Sequence, residues 1–259
     1  MSTILDRIVD QKKEDLNKRK QMVSATDFQS YSEWERPRKS LARSLSAENV
    51  SIIAELKKAS PSQGIIRENF DVPEIAASYE ENGASALSVL TEERFFQGNP
   101  VYIEKLSGKS GLPILRKDFI VDFYQIQEAR GIGADAVLLI ATITSGNQLM
   151  ELHHAATEAG LETLIECYDP SEFSQIDFEA VKTVGINNRN LNTFEVDVHR
   201  GIEALQSLPD HLITVSESGL STKEDIDLLQ REGINAALIG EYFMKQDDPG
   251  SALKKMLNG

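Results

Sequence analysis

Five charged residues lie at the ends of predicted β-strands, with spacing that suits a buried acid–base site. The apolar runs end in Ile53-Ala-Glu55-Leu-Lys57, Leu115-Arg-Lys117, Leu164-Ile-Glu166 and Ile213-Thr-Val215-Ser-Glu217. Side chains alternate along a strand, so each charged residue shares a face with the apolar residue that precedes it by two or four positions. A buried charge costs several kcal/mol unless it is paired. We therefore expect the five charged groups to meet at one pole of the fold.

Two lysines and three glutamates in one cleft favour general acid–base chemistry. Glu55 and Glu166 are expected to keep Lys57 and Lys117 protonated, which suits proton donation to a carbonyl or hydroxyl oxygen. For any single residue, a structural ion pair is the competing interpretation. No metal site is predicted, because no carboxylate pair has histidines at ligand spacing. The adjacent His153 and His154 fall on a predicted helix and are expected at the surface.

Small and polar residues after the last two predicted strands suggest a phosphate site. Ser218, Gly219 and Gly240 stand where barrels often hold a phosphate on backbone N–H groups, although ordinary turn glycines would look the same. The loop after the first strand adds the hydroxyls of Ser60 and Ser62.

Aromatic residues follow the second and third predicted strands. Phe95, Phe96 and Phe119 could pack on a flat apolar ring of a substrate, or beneath the N-terminal segment.

The elements that must position these groups recur along the chain. Eight apolar runs begin near residues 51, 85, 112, 135, 162, 182, 212 and 236, and every interval has room for one helix. Glycines at predicted helix ends precede several of these runs, namely Gly83, Gly133, Gly160 and Gly233. The 259 residues suit a single (β/α)₈ barrel domain, about 250 residues in length. An open doubly wound sheet is the alternative, but no G-x-G-x-x-G follows any strand.

Helix starts and an N-terminal arm complete the predicted architecture. Capping boxes are expected at Asp71–Glu74 and Ser221–Glu224, a helix start at Asp169-Pro170, and a cap at Asp122. Residues 1–45 are interpreted as a helical arm with a connection. The basic run from Lys12 to Lys20 is expected to be a solvated helix face.

Composition excludes several classes of protein. Lys and Arg number 27 against 41 Asp and Glu, and the net charge of −14 argues against nucleic-acid binding. The single cysteine, Cys167, excludes an intrachain disulfide framework and is expected to be a buried apolar residue. No apolar run approaches the roughly 18 residues of a membrane span, and no signal peptide is recognised. We expect a soluble cytoplasmic protein, either a monomer or a weak homodimer.

Taken together, these motifs resemble the indole-3-glycerol-phosphate synthase family over nearly the whole chain. The resemblance is carried by Ile-Ala-Glu55-Leu-Lys57-Lys-Ala-Ser60-Pro-Ser62, Leu-Arg-Lys117-Asp-Phe119, Gly-Ile-Asn187-Asn-Arg189, Ser-Glu217-Ser218-Gly219 and Leu-Ile-Gly240-Glu241. It implies a (β/α)₈ barrel with an N-terminal helical extension over the catalytic mouth. It further implies cofactor-free closure of an indole ring on 1-(2-carboxyphenylamino)-1-deoxyribulose 5-phosphate, with loss of CO₂ and water.

The resemblance also implies roles for individual residues. Lys117 resembles the general acid, and Glu166 and Lys57 resemble groups that serve the later dehydration. Glu55, Asn187 and Glu217 resemble residues that orient the lysines and bind sugar hydroxyls. Arg189 resembles a residue that binds the anionic part of the substrate. The substrate phosphate would be bound by Ser60, Ser218, Gly219, Gly240 and Glu241. The anthranilate ring would be held by Phe96, Phe119 and Leu138.

Two other functions stay open on the sequence alone. A different phosphate-binding barrel enzyme, such as a sugar-phosphate isomerase or a Schiff-base aldolase, would use similar residues. A non-catalytic barrel that binds a phosphorylated metabolite would show affinity without turnover.

Overall fold

The computed structural model describes residues 3–144, 146–190 and 193–259. Its described residues form a closed barrel of eight parallel strands, in which the last strand pairs with the first. The strands are β1 (Ser51–Leu56), β2 (Ala86–Leu90), β3 (Ile114–Lys117), β4 (Ala136–Ile140), β5 (Glu162–Cys167), β6 (Thr183–Asn187), β7 (Ile213–Glu217) and β8 (Ala236–Ile239). The predicted (β/α)₈ barrel is confirmed, and the open sheet is excluded.

Two helices precede β1, helices fill all but one of the connections between strands, and two more follow β8. They are α1 (Ile4–Met22), α2 (Leu41–Ser44), α3 (Val72–Glu81), α4 (Val101–Leu106), α5 (Phe123–Ile132), α6 (Gln148–Glu158), α7 (Val198–Gln206), α8 (Lys223–Arg231), α9 (Glu241–Met244) and α10 (Pro249–Asn258). Between β5 and β6 stands only the short 3₁₀ helix Pro170–Gln175, at the predicted start Asp169-Pro170. Among the described residues, no helix is long and apolar enough to cross a membrane.

The predicted helix boundaries are largely confirmed, with one displaced by a residue. Asp122 accepts a hydrogen bond from the backbone of Tyr124 and caps α5 as expected. Asp71 caps α3 by accepting from the backbone N–H of Glu74. The box at α8 is formed by Thr222 with Asp225, one residue after the predicted pair, because Asp225 reaches back to the cap backbone. All four predicted helix-end glycines have positive φ, between 71° and 99°.

The barrel interior is built in layers from alternate strands. One apolar layer consists of Ile53, Leu115, Leu164 and Val215, from β1, β3, β5 and β7. Two residues further along the same strands, on the same inward face, come Glu55, Lys117, Glu166 and Glu217. The charged layer therefore rests on the apolar core and opens at the carboxyl ends of the strands.

The N-terminal extension reaches both ends of the barrel. Ile4, Leu5 and Ile8 of α1 line the cavity at the carboxyl ends of the strands. The chain then passes α5, where Phe28 lies against Gly131. Leu41, fully buried, belongs to the interior cluster, and the segment is held there by Glu162, which accepts from the backbone N–H of Ala42. The extension thus covers the mouth and also closes the amino end.

Two expectations about single side chains have opposite outcomes. Cys167 is fully buried among the residues between barrel and helices, as predicted. The surface assignment is wrong for His153, which is only 6 % exposed. Its imidazole lies 2.8 Å from Thr163 Oγ1 and 3.2 Å from the carbonyl oxygen of Ala180, so both ring nitrogens are partnered. His154 is exposed, as expected.

Candidate active site

Two lysine–glutamate clusters form the charged layer at the mouth of the barrel. Lys117 Nζ donates to Glu166 Oε2 at 2.5 Å and to Glu217 Oε2 at 2.8 Å. Lys57 Nζ lies 2.6 Å from Glu55 Oε1. The predicted convergence of the five groups is confirmed, because all of them line one cavity.

The surroundings of Lys117 shift the pKa values of all three groups in its cluster. Burial disfavours the ammonium, but Glu166 and Glu217 outweigh burial and raise the pKa of Lys117. For Glu166, burial is outweighed by the charge of Lys117, and the pKa is lowered. Burial, reinforced by the charge of Glu166, raises the pKa of Glu217 to about 8. The pKa values of the two carboxyl groups are therefore shifted in opposite directions, so Glu217 keeps its proton to higher pH than Glu166.

Neighbouring strands leave room for these carboxylates and orient them. A Cβ at Gly185 would lie 2.5 Å from Glu217 Oε1, and a Cβ at Gly240 would lie 2.6 Å from Glu55 Oε1. Asn187 donates from Nδ2 to Glu166 Oε1 at 3.3 Å. Both glycines are therefore needed because a larger residue would overlap an acidic side chain of the site. The sequence analysis did not identify this role for Gly185.

One half of the rim offers backbone and hydroxyl groups. Ser218 and Gly219 follow β7 with φ of 71° and 78°, in the left-handed region, and both line the cavity. Gly240 and Glu241 follow β8 and line the same side of the cavity. Ser60, in the loop after β1, is 8 % exposed and also lines it.

The opposite half of the rim is apolar. The rings of Phe96 and Phe119 lie 6.0 Å apart between centroids, with their planes tilted by 38°. Leu138 from β4 lines the cavity beside them, and Ile8 of α1 belongs to the same cluster. Phe96 and Phe119 line the cavity as expected, whereas Phe95 does not. Phe95 and Phe96 pack against the cluster that holds Phe119 and Ile8, as the second interpretation expects.

Arg189 lies at the rim, where its guanidinium has only a weak ion pair among the residues that the structure describes. Its Nη2 is 3.4 Å from Glu241 Oε2, and both side chains are about a quarter exposed. A guanidinium held this loosely stays available to a bound anion.

A buried ion-pair network beneath the aromatic wall was missed in the sequence. Arg116, on the outward face of β3, pairs with Asp118 at 3.1 Å and with Glu128 at 2.6 Å. Lys12 of α1 lies 2.7 Å from Asp118, and Arg19 of α1 pairs with Glu128. The expectation of a solvated basic face is therefore wrong for Lys12 and Arg19, because buried carboxylates of the barrel need the charges of α1.

Every residue assigned to the site from the sequence lines this single cavity, and further residues join them. The residues that sequence reasoning did not assign include Ile4, Leu5, Ile8, Asp118 and Phe194. The helical spacing of the first three was visible, but nothing in the sequence showed that they face the site. Among the described residues, no group of three or more His, Cys, Asp or Glu could hold a metal ion.

A closed barrel of parallel strands with an acid–base layer at their carboxyl ends defines the class of (β/α)₈-barrel enzymes. A family model described as indole-3-glycerol phosphate synthase matches residues 5–256. The chain belongs to this family, whose members are carboxy-lyases of tryptophan biosynthesis.

Relatives and solved structures agree with this placement. An indole-3-glycerol phosphate synthase from Polynucleobacter asymbioticus is 43 % identical over 265 aligned residues, covering 99 % of both chains. One from Rhodopirellula baltica is 49 % identical over 210 residues, covering 81 % of each chain. A tryptophan synthase α-subunit from Pyrococcus furiosus superposes with a TM-score of 0.62 over 81 % of this chain and 98 % of its own, at 14 % identity. That last similarity concerns the fold alone.

Proposed function

We propose that this chain closes the indole ring of 1-(2-carboxyphenylamino)-1-deoxyribulose 5-phosphate, with Lys117 as the general acid. The observation that carries the proposal is the position of the Lys117 ammonium. It lies between Glu166 and Glu217, in a cavity with an apolar half-rim on one side and a backbone-rich half-rim on the other. Family membership supports the same reaction.

Ring closure requires one proton at the ketone oxygen. The ring carbon that bears the carboxylate attacks the ketone carbon, and the C=O π electrons move to oxygen. Lys117 donates its proton to that oxygen as the carbon–carbon bond forms, which prevents an alkoxide from building up. Loss of CO₂ then returns an electron pair to the ring and restores its aromaticity. No electron-sink cofactor and no metal ion takes part in this proposal.

Dehydration completes the indole. The hydroxyl formed in the first step leaves as water after it accepts a proton, and the neighbouring carbon loses a proton to a base. Lys57, held 2.6 Å from Glu55, is the proposed proton donor, and ionised Glu166 is the proposed base. Glu217, whose pKa is raised, is the proposed donor that restores the Lys117 ammonium, since the two groups lie 2.8 Å apart.

Substrate binding is assigned to the two halves of the rim. The phosphate is proposed to bind at Ser60, Ser218, Gly219, Gly240 and the backbone N–H of Glu241. Phe96, Phe119 and Leu138 would hold the anthranilate ring, and Arg189 would meet the substrate's anionic part. Holding both ends of the flexible substrate keeps its two reacting carbon atoms close together, which lowers the entropic cost of ring closure.

Substitution of Lys117 tests the proposal. Lys117→Ala is expected to lower kcat by about 10²–10⁴, the usual contribution of a general acid. Product formation is followed by indole fluorescence, and circular dichroism shows whether the variant is folded. A folded variant with near-wild-type turnover would show that Lys117 is not the acid.

Two further assays separate the alternative functions. Borohydride in the presence of substrate would trap a covalent adduct on Lys57 or Lys117 if the chain were a Schiff-base aldolase. Affinity for the phosphorylated substrate without turnover would indicate a binding protein. A single domain over residues 1–259, the cytoplasmic location, the absence of nucleic-acid partners and the monomer or weak homodimer stay predictions.

A further inference from the structure

The loop that follows β1 is tied to the chain that follows β8 by one guanidinium group. Arg67 Nη1 donates to the carbonyl oxygens of Met244 and Gln246 at 3.3 and 2.8 Å, and Nη2 donates to that of Asp247 at 3.2 Å. Nε donates to the carbonyl oxygen of Asn69 at 3.1 Å within the loop itself. One half-buried side chain thus connects segments about 180 residues apart in sequence.

The carbonyls that Arg67 contacts end α9 and continue past it. A helix of four residues has too few internal hydrogen bonds to be stable alone, and its last carbonyls need donors from elsewhere. The planar guanidinium supplies them, and its charge suits the carboxyl end of a helix. At its other end, α9 begins at Gly240 and Glu241, which line the cavity.

On the loop side, Arg67 is fixed to the segment that carries Ser60. The two-residue strands Ala59–Ser60 and Gly64–Ile65 pair in an antiparallel hairpin. The carbonyl oxygen of Lys58 accepts from the backbone N–H groups of Ile66 at 2.8 Å and of Arg67 at 3.2 Å. A displacement of Arg67 is therefore transmitted to Ser60 through a short, hydrogen-bonded stretch of backbone.

A second and weaker link runs parallel to the first. Lys245 Nζ lies 2.7 Å from Glu241 Oε1 and 3.2 Å from Gln63 Oε1, at the tip of the hairpin. Its side chain is 46 % exposed, so solvent weakens this contact. Arg67 is the stronger of the two connections.

We propose that Arg67 is a positioning residue for the phosphate half of the cavity. It keeps Ser60, on the loop after β1, at a fixed separation from Gly240 and Glu241, after β8. Arg67 does not line the cavity and acts only through these groups. The inference rests on the proposed function, because it takes this half of the rim as the seat of the substrate phosphate.

The test compares Arg67→Met and Arg67→Lys with Arg231→Met. Arg231 is an exposed arginine of α8 that donates to the carbonyl oxygen of Asp227, so its substitution is a matched control. Arg67→Met is expected to raise KM about tenfold and to weaken competitive inhibition by inorganic phosphate by a similar factor. The loss of the hydrogen bonds from Arg67 to the backbone would free Ser60 to move relative to Gly240 and Glu241. Its kcat should stay within about threefold of wild type. Arg67→Lys, which keeps the charge without the planar fork, should lie between wild type and Arg67→Met.

Wild-type KM and phosphate inhibition in folded Arg67→Met would overturn the inference, as would a loss confined to kcat. If Arg67→Met fails to fold, the KM of Arg67→Lys and its inhibition constant for inorganic phosphate test the inference instead. Absence of turnover in the wild-type chain would instead contradict the proposed function. Calorimetric titration with inorganic phosphate, comparing wild type with Arg67→Met, would still decide the role of Arg67.

Discussion

The ammonium of Lys12 lies 2.7 Å from the carboxylate of Asp118, the residue that directly follows Lys117. Asp118 is 2 % exposed, and its Oδ1 also accepts from the backbone N–H of Phe119 at 2.8 Å. Burial acts to raise the pKa of Asp118, but Lys12 and Arg116 outweigh burial and hold it well below its usual range. One ion pair thus connects α1 to the strand end that carries the proposed acid.

Lys12→Met is expected to destabilise the protein by about 3 kcal/mol, since it removes one partner of a buried pair. KM should rise as well, because Ile4, Leu5 and Ile8 of the same helix line the cavity. Urea denaturation and steady-state kinetics measure the two effects. Lys18→Met, at an exposed position of α1, is the control and should change neither. A stability change in Lys12→Met no larger than in Lys18→Met would contradict the prediction.

Glu217→Gln is expected to change how stability depends on pH. The pKa of Glu217 is raised to about 8 in the folded chain, so the folded state holds a proton that the unfolded state has released. This contribution is complete below the unfolded pKa of about 4.3 and declines as pH rises toward 8.

The measurement is the difference in stability between wild type and Glu217→Gln, taken from thermal melts between pH 5 and 9. The stability of wild type relative to Glu217→Gln should decrease as pH rises to about 8 and should then stay constant. A constant difference across this range would show that Glu217 is already ionised at neutral pH.

Gly240→Ala is expected to displace Glu55. The added Cβ would lie 2.6 Å from Glu55 Oε1 and 2.8 Å from Glu55 Cβ, so the side chain and its pair with Lys57 must shift. A displacement of about 1 Å near reacting groups costs about 10²-fold in turnover. Gly108→Ala, where the added Cβ meets nothing within 4 Å, should lose some stability at its φ of 70° but keep wild-type kinetics. Equal kinetics in both variants would rule out the steric argument.

His153 predicts a second pH effect, of opposite sign to that of Glu217. Burial lowers the pKa of His153, so the folded chain takes up this proton at lower pH than the unfolded chain, which takes it up near pH 6.5. Its contribution to stability is therefore present above that pH and is lost as pH falls. The stability of wild type relative to His153→Gln should decline from pH 7 to 5, whereas His154→Gln, at an exposed position, should track wild type. A parallel decline in wild type and His153→Gln would refute this.

Alternation along the strands explains how much of the site could be predicted. In β1 and β3, Ile53 and Leu115 precede Glu55 and Lys117 by two positions, so the inward face of the strand identifies the charged layer directly. Where a strand buries one face in the barrel and the other under helices, the parity of a residue decides its environment.

Contacts across long sequence separations could not be read in the same way. Arg19 and Glu128 are separated by 109 positions, and a basic residue on a helix is equally compatible with water. The acceptors of Arg67 are backbone carbonyls, which every residue type possesses, so no side chain marks them. His153 is an exception, because it lies at helical spacing from Leu149, Leu152 and Ala156, the other buried residues of α6. That spacing was a signal in the sequence that could have placed His153 inside and His154 outside.

Closure of both barrel ends by the N-terminal segment has a consequence for biosynthesis. The amino end that Leu41 fills is complete only when β8 has paired with β1, and β8 is the last strand to leave the ribosome. Leu41 can therefore complete the amino end only after β8 has been made, whereas the partners of Lys12 and Arg19 in α1, Asp118 and Glu128, are made earlier.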